Sequence, residues 1–562
     1  MPLTANTTAA VLRWLAALAA LQLALALPDR PDLFVTASFL VLPAELPLIV
    51  GLYLLAPPRW RRTVRVSVVL ALLLLLGVKL ADNAMHAALG RPFNPVLDIE
   101  LVSHGLDLLG RALGEAGAIL LVAIVAALLA AVAWFGIRTF GRPAGNLPGA
   151  MAVGDGRARI AAGLVLAVGG AAALPFAWPG DRLPLSAWAS RIAVEHAQAY
   201  ADAAVDLHRF REEAAVDPAA AIPDGRLFAG LRDVDVLVIF AESYGRNVVD
   251  PQTGDAEARA ALAALDHAVM ERGFAARTAW LTSPVRGGQS WLAHATLLSG
   301  LRIGNQGRYD DLLAGDRPTL VHDFARAGWR TVAAMPAITG AWPDAGFFGY
   351  DKFYAAADLG YRGAPFNWVT MPDQYTLATF AARELGARPG RAPVMAEIAL
   401  ISSHAPWTPI PPLLPWSAIG DGSVFTPHAR AGDPPDVVWR DPDRVRAQYR
   451  KSIAYVLRTL AAFVETYGRR DMLIVVLGDH QPVPFVAGRG ASAAVPVHVI
   501  GGDPALLAAF AGWGWTEGAM PDATTPTWPM ESLRGRLLDA FTPPDPLSAR
   551  ASDPGSAATR RQ

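Results

Sequence analysis

Three apolar, β-branched runs in this sequence end directly in groups that can hold a divalent cation or a phosphate. Val234 to Phe240 leads through Ala241 to Glu242, Met472 to Leu477 leads through Gly478 to Asp479 and His480, and Val394 to Ile401 leads to Ser402, Ser403 and His404. A fourth run, Arg330 to Ala334, leads to Thr339, Gly340, Ala341 and Trp342. Ligands in open α/β sheets bind beyond the carboxyl ends of the strands, so these residues would meet at one edge. Carboxylates with an imidazole suit Zn or Mn, and carboxylates with a hydroxyl also accommodate Mg. A single Asp-His turn says little, because strands often end in polar residues. The shared position of all four is the signal.

A nucleophile candidate lies in Arg286-Gly-Gly-Gln-Ser290, which opens an apolar stretch closed by Leu298-Ser299-Gly300. A hydroxyl at a helix N-terminus faces free backbone N–H groups and the positive end of the dipole, which favour an alkoxide or a bound phosphate. A metal ion would activate it further. Taken alone, the segment is read more simply with Ser290 as an N-cap worth about 1 kcal/mol to the helix. His294, four residues on, and His498, within a strand, read as packed side chains. Tyr244 beside Glu242 and Trp407 after His404 read as walls of a head-group cleft, with core packing the preferred role for Tyr244.

The elements that carry these groups divide the chain. The 562 residues are 53% hydrophobic with 49 Lys plus Arg against 50 Asp plus Glu, which excludes a disordered charged protein and gives no polycationic surface for nucleic acid. There is no Cys, so disulfides, thiolate zinc sites and thiol nucleophiles are excluded. Residues 9–27, 33–56, 64–81, 116–137 and 160–178 are apolar runs near the roughly 20 residues a membrane-spanning helix needs. A cleaved leader is the alternative for the first. Arg59, Arg61, Arg62 and Arg65 in one connection, and Arg138, Arg142, Arg157 and Arg159 in another, place both on the cytoplasmic side. Five crossings then leave everything after Trp178 outside the cytoplasm. Within the spans, Glu45 and Lys79 are ionisable and costly in lipid. Each marks a polar site, or snorkels or pairs with a neighbour such as Asp82. Residues 179–230 read as a connector with an amphipathic helix at the membrane surface, 231–541 as an α/β domain with a largely parallel sheet, and 542–562 as a flexible tail.

The strand ending at Glu242, the Gly-Gly-Gln-Ser290 helix start, the Ser403-His404 turn and Gly478-Asp479-His480-Gln481 resemble the sulfatase-like branch of the alkaline phosphatase superfamily. With five spans ahead of them, and Phe348-Gly-Tyr-Asp-Lys-Phe353 between Trp342 and His404, the order is similar to the lipoteichoic acid synthase and membrane phosphoglycerol transferase group. The resemblance implies a five-helix transmembrane domain followed by an extracytoplasmic (periplasmic or extracellular) sulfatase-like catalytic domain, in a bacterial-type inner membrane. It implies that Glu242, Ser290, Asp479 and His480 bind one divalent metal ion, Mn first and Zn or Mg as alternatives. Ser290 stands where that group has its Thr nucleophile. It would form a covalent intermediate with a phospho-alcohol head group from a phospholipid donor and pass it to a glycan, lipid or polymer acceptor. His404 and Trp342 match positions that bind the substrate's phosphate and head group.

The sequence also departs from that group. Where its members have an Arg two residues after the Trp, this chain has Asp344, so Arg286, Arg302 or Arg308 replaces the cation or the head group is itself cationic. Phosphoethanolamine transferases share the architecture but carry disulfides, which zero Cys opposes. A sulfatase would need Cys or Ser at the head of a Cys/Ser-x-Pro-x-Arg motif, and Thr282-Ser-Pro-Val-Arg286 has Thr there. Hydrolysis by the same site, as a phosphodiesterase or sulfatase, is the alternative to transfer, and a ligand sensor without catalysis is a third reading.

Overall fold

The structure is a computed structural model, and it describes residues 5–99, 101–139, 156–177, 185–386, 390–488 and 490–544. Two compact units divide at Asp206 and Leu207. Residues 545–562 of the expected tail, and most of the second Arg-rich connection, lie outside the described residues.

The first unit is helical: α1 (Ala5–Ala26), α2 (Glu45–Leu55), α3 (Arg61–Leu89), α4 (Leu101–Thr139), α5 (Gly156–Ala177) and the start of α6 (Trp188–Ala214). Among the described residues, Arg61–Leu89 and Gly114–Arg138 are long and apolar enough to cross a membrane, while Trp14–Ala26, Glu45–Leu55 and Arg159–Leu174 are apolar but shorter. The run 33–56 is not the single span its hydropathy suggests. It breaks into Thr36–Leu40, a two-residue strand at Leu42–Pro43 and α2, because Pro43 cannot donate a helical hydrogen bond and clashes with the preceding turn. Gly114, at φ 75° and ψ 155°, interrupts α4.

Lys79 neither snorkels nor pairs with Asp82. Its buried Nζ donates to the carbonyls of Ala24 (3.2 Å) and Leu25 (2.8 Å), where a cation satisfies the unpaired acceptors at the end of α1. Asp82 instead accepts from Phe93 N (2.9 Å) and faces His196 Nε2 (2.9 Å). Glu45 is buried, and its Oε1 accepts from Ser190 N (2.9 Å) in the first turn of α6.

The second unit is built on a nine-stranded sheet. Its strands are β1 (Asp235–Ala241), β2 (Ala275–Thr282), β3 (Arg330–Met335), β4 (Lys352–Ala355), β5 (Val394–Leu400), β6 (Met472–Gly478), β7 (Ala494–Gly501), β8 (Thr516–Glu517) and β9 (Thr527–Pro529). The order is β8-β2-β7-β6-β1-β5-β3-β4, with β9 also on β2. Neighbours from β6 to β4 are parallel, but β7 is antiparallel to both β6 and β2, and β8 is antiparallel to β2. The sheet is therefore mixed, with its parallel part running from β6 to β4. Two antiparallel steps restore direction, so β2 runs in the same sense as β1 and its carboxyl end lies on the same edge.

Every residue of β1 and β6 is buried, as strands covered on both faces require. Leu237 and Ile239 of β1 pack with Leu262 of α7 (Ala256–Glu271) and Ile453 and Leu457 of α10 (Pro442–Tyr467). Val236, Val238 and Phe240 face the other way, into a core with Leu292 and Leu297 of α8 (Ser290–Ser299) and Leu533 of α11 (Ser532–Phe541). Alternation along one strand thus feeds two cores and makes three layers. Helix α9 (Asp373–Glu384) packs in the first of them.

Candidate functional site

Four strand ends deliver the site. β1 stops at Glu242, whose backbone N–H still reaches Leu400 O of β5 (3.0 Å). The next residue, Ser243, turns the chain at φ 56° and donates its N–H to Asp479 Oδ1 (2.7 Å) and its hydroxyl to Glu242 Oε1 (2.9 Å). β6 stops at Gly478. β2 delivers the nucleophile through a turn in which Gly287, Gly288 and Gln289 all have positive φ (76°, 152° and 66°). Gly287 N donates to Gln481 O (2.8 Å), which ties that turn to the residue after His480.

Ser290 is not the N-cap. That position belongs to Gln289, which makes no side-chain cap, and Ser290 is the first residue of α8. Its hydroxyl is therefore free for the site: Oγ donates to Glu242 Oε2 (3.0 Å) and lies 3.2 Å from His480 Nε2. The ligand atoms of Glu242, Asp479 and His480 all lie within 4.8 Å of one another. His480 Nε2 is 3.4 Å from Glu242 Oε1 and 3.6 Å from Asp479 Oδ2. His480 Nδ1 donates to Gln481 O (2.8 Å), which leaves the Nε2 lone pair pointing into the cluster, as metal-binding imidazoles require. Asp479 Oδ1 is occupied by the N–H groups of Ser243 and His480 (2.7 and 2.6 Å), and Ser283 Oγ donates to its backbone carbonyl (2.6 Å).

The electrostatics of the cluster suit a cation. Burial, then the charge of Glu242, pushes the Asp479 carboxyl up to about 6. Burial also opposes ionisation of Glu242, but the charges of His480 and His404 outweigh it and hold that carboxyl at about 2. Burial works against a charged His480, yet Asp479 and Glu242 raise it. Two buried carboxylates, an imidazole lone pair and a hydroxyl at this spacing form a hard, charge-deficient donor set, and a divalent ion fits it.

The other sequence-selected residues are spread around this cluster. His404 follows β5, Ser403 Oγ donates to Glu242 O (2.6 Å), and Glu242 feels the His404 charge. Trp368, which the sequence did not single out, lies 6.3 Å from the His404 ring. Arg286 is exposed, and its backbone forms a bridge with Gln481. Trp342 is half-buried against Phe353 and Phe348 (5.2 and 5.8 Å between centroids). Asp344 accepts the Tyr309 hydroxyl (2.9 Å), and neither Trp342 nor Asp344 touches the metal cluster among the described contacts. Trp407 is not a cleft wall. It is 3% exposed, stacks on Trp439 and donates to Ser403 O (2.7 Å).

No family model and no curated protein matches the chain. Solved structures with low similarity to the chain are found. The lipoteichoic acid synthase LtaP from Listeria monocytogenes is similar over 60% of this chain and 79% of its own, at 11% identity and a TM-score of 0.38. The C-terminal periplasmic domain of EcEptC from Escherichia coli, in complex with Zn, covers 55% and 83% at 14% identity and 0.36. The Streptococcus pyogenes phosphoglycerol transferase GacH, in complex with sn-glycerol-1-phosphate, covers 53% and 74% at 13% identity and 0.33.

Proposed function

We propose that this chain is a membrane-bound, metal-dependent phosphotransferase in which Ser290 takes a phosphoglycerol-type head group from a phospholipid, holds it covalently and passes it to a glycan, lipid or polymer hydroxyl. One observation carries the reading: Ser290 Oγ sits at the first position of a helix, 3.0 Å from Glu242 Oε2 and 3.2 Å from His480 Nε2. Glu242, Asp479, His480 and the Ser290 hydroxyl are the groups that would hold the ion, Mn in our assignment. A bound divalent ion lowers the pKa of a ligating hydroxyl and neutralises phosphate charge.

The chain's own residues do the rest. Glu242 Oε2 receives the Ser290 hydroxyl hydrogen and so turns an oxygen lone pair toward an incoming phosphorus. The positive end of the α8 dipole, at which Ser290 stands, favours negative charge on the phosphoryl oxygens. His404 at the β5 turn and the exposed, cationic Arg286 are the groups we assign to the phosphate, with Trp342 and Asp344 farther out for the head group. The apolar helices Arg61–Leu89 and Gly114–Arg138 support membrane attachment and a lipid donor. We place the first unit in a bacterial-type inner membrane and the second on its extracytoplasmic side.

Intact mass of the detergent-solubilised protein, after incubation with Mn and mixed phospholipids, tests this. Wild type should carry an adduct of head-group mass and release diacylglycerol, and Ser290→Ala should do neither. Absence of both from wild type would overturn the reading.

A further inference from the structure

One turn beyond Ser290, His294 is held as an acid–base group would be. Its Nδ1 lies 2.6 Å from Glu397 Oε1, and its ring stacks on Phe240 at 3.7 Å and 16°. Glu397, in the middle of β5, is 1% exposed, whereas His294 keeps 15%. The second carboxylate oxygen of Glu397 accepts from the Tyr350 hydroxyl. Glu397 is thus fixed from both sides. With Nδ1 donating to it, Nε2 is left as the acceptor, and Nε2 has no protein partner among the described residues. A buried carboxylate imposes this tautomer and orientation on the base of a Ser-His-Asp triad.

Two independent placements bring that ring to Ser290. Along α8, residues four apart share a face, with Cβ atoms about 5–6 Å apart, and helical side chains lean toward the N-terminus, so the imidazole lies over the turn that Ser290 opens. Glu242 directly follows β1, two residues after Phe240, and its N–H continues the ladder to Leu400 O, so the alternation puts the two on one face. His294 stacks on Phe240 and Ser290 bonds Glu242. Packing alone does not account for a carboxylate in the middle of a buried strand, since burying that charge costs several kcal/mol unless it is paired.

We infer that His294 Nε2 is the general base of the second half-reaction, with Glu397 and Tyr350 as its positioning residues. The inference rests on the covalent Ser290 reading above. The acceptor hydroxyl oxygen bonds to the phosphorus of phosphoryl-Ser290, and the P–Oγ bond breaks. The acceptor's proton passes to Nε2. Ser290 Oγ leaves with the bonding pair and takes that proton back from the imidazolium, which restores both side chains.

The test follows the metal-loaded full-length protein with bis(4-nitrophenyl) phosphate, water serving as the acceptor hydroxyl. Ser290 attack releases the first nitrophenolate, and steady turnover requires the second half-reaction. His294→Gln should keep the first release within about 3-fold, lower steady turnover by about 100-fold and accumulate an adduct on Ser290 visible by intact mass. Glu397→Gln should do the same to a smaller degree, about 10-fold, and imidazole in solution should restore turnover to His294→Ala. Should His294→Gln not fold, Tyr350→Phe carries the same comparison. Unchanged steady turnover, or equal loss of both phases in folded, metal-replete variants, overturns the role of His294 while the Ser290 reading stands. A wild type that never forms an adduct overturns the Ser290 reading, and this one with it.

Discussion

Gly478 and Tyr244 meet backbone to backbone: a Cβ on Gly478 would lie 1.9 Å from the Tyr244 carbonyl oxygen. Gly478 precedes Asp479 and Tyr244 closes the turn after Glu242, so this approach sets the spacing of the two carboxylates. Gly478→Ala must push the turns apart. Overpacking of this kind costs about 1–3 kcal/mol, and the larger effect should fall on the ion. We expect metal affinity, measured by calorimetric titration, to drop by at least about 10-fold together with a lower Tm. Wild-type affinity in this variant would disprove the spacing argument.

Metal binding should depend on pH with a defined sign. Asp479, pushed up to about 6, must lose its proton to bind, and His480, also raised, must be neutral. Apparent affinity should therefore start to fall as pH drops through the His480 value, above its usual 6.5, by roughly tenfold per pH unit, and fall more steeply below about 6, where Asp479 also takes a proton. Titrations at pH 5 and 7.5 decide this. Chelation at pH 7.5 should lower Tm, since an ion at 100 times its Kd adds about 2.7 kcal/mol. Glu242→Gln should remove most of that difference.

Asp373 contributes a pH dependence of opposite sense that has nothing to do with the ion. It opens α9, and its Oδ1 accepts from Ile401 N (2.7 Å) and Ser402 N (2.9 Å), while Oδ2 is buried without a partner. Burial, against those hydrogen bonds, pushes the carboxyl up to about 7 from 3.8. The folded state keeps a proton that the unfolded chain has lost, so stability falls as pH rises from about 4 to 7 and is level above that. The full span is at most about 4 kcal/mol. Asp373→Asn keeps the acceptor for both N–H groups and removes the ionisation. Its urea midpoint should match wild type near pH 4.5 and exceed it at pH 8, and a lower midpoint at pH 8 would refute the assignment.

Much of the second unit is legible in the sequence because strands buried on both faces read as continuous apolar runs. All four runs named in the second unit are strands, and the residues after three of them frame the site. β2 is harder to see because Arg277 and Thr278 interrupt its apolar pattern, yet it is the strand that delivers Ser290. Its pairing with β7 joins residues more than 200 positions apart, and strand sense across such a separation leaves no local trace. The Ser290 N-cap reading fails for a local reason: Gln289 adopts the left-handed conformation, which spacing alone does not reveal. The His294–Glu397 pair does leave a trace, a lone Glu inside the apolar strand Val394–Leu400. Lys79 departs from expectation because its partners are main-chain carbonyls of another helix, which no side-chain pattern advertises.

Below the site, the Tyr244 hydroxyl lies 3.0 Å from His498 Nε2, and His498 Nδ1 lies 2.9 Å from Thr278 Oγ1. Thr278 spends its own hydrogen on Gly518 O (2.7 Å), so it must accept from Nδ1–H. Nε2 is then an acceptor, and the Tyr244 hydroxyl must be the donor. Burial holds His498 neutral, at about 3, in keeping with this order. Tyr244→Phe removes the donor and leaves Nε2 buried and unpaired, at a cost of about 1–3 kcal/mol. The urea midpoint should fall with an unchanged m-value, and phosphodiester turnover by the folded variant should stay within about 3-fold of wild type. A large loss of turnover at wild-type stability would instead place the Tyr244 hydroxyl in the chemistry, and an unchanged midpoint would contradict the order of donors and acceptors running from Tyr244 through His498 and Thr278 to Gly518.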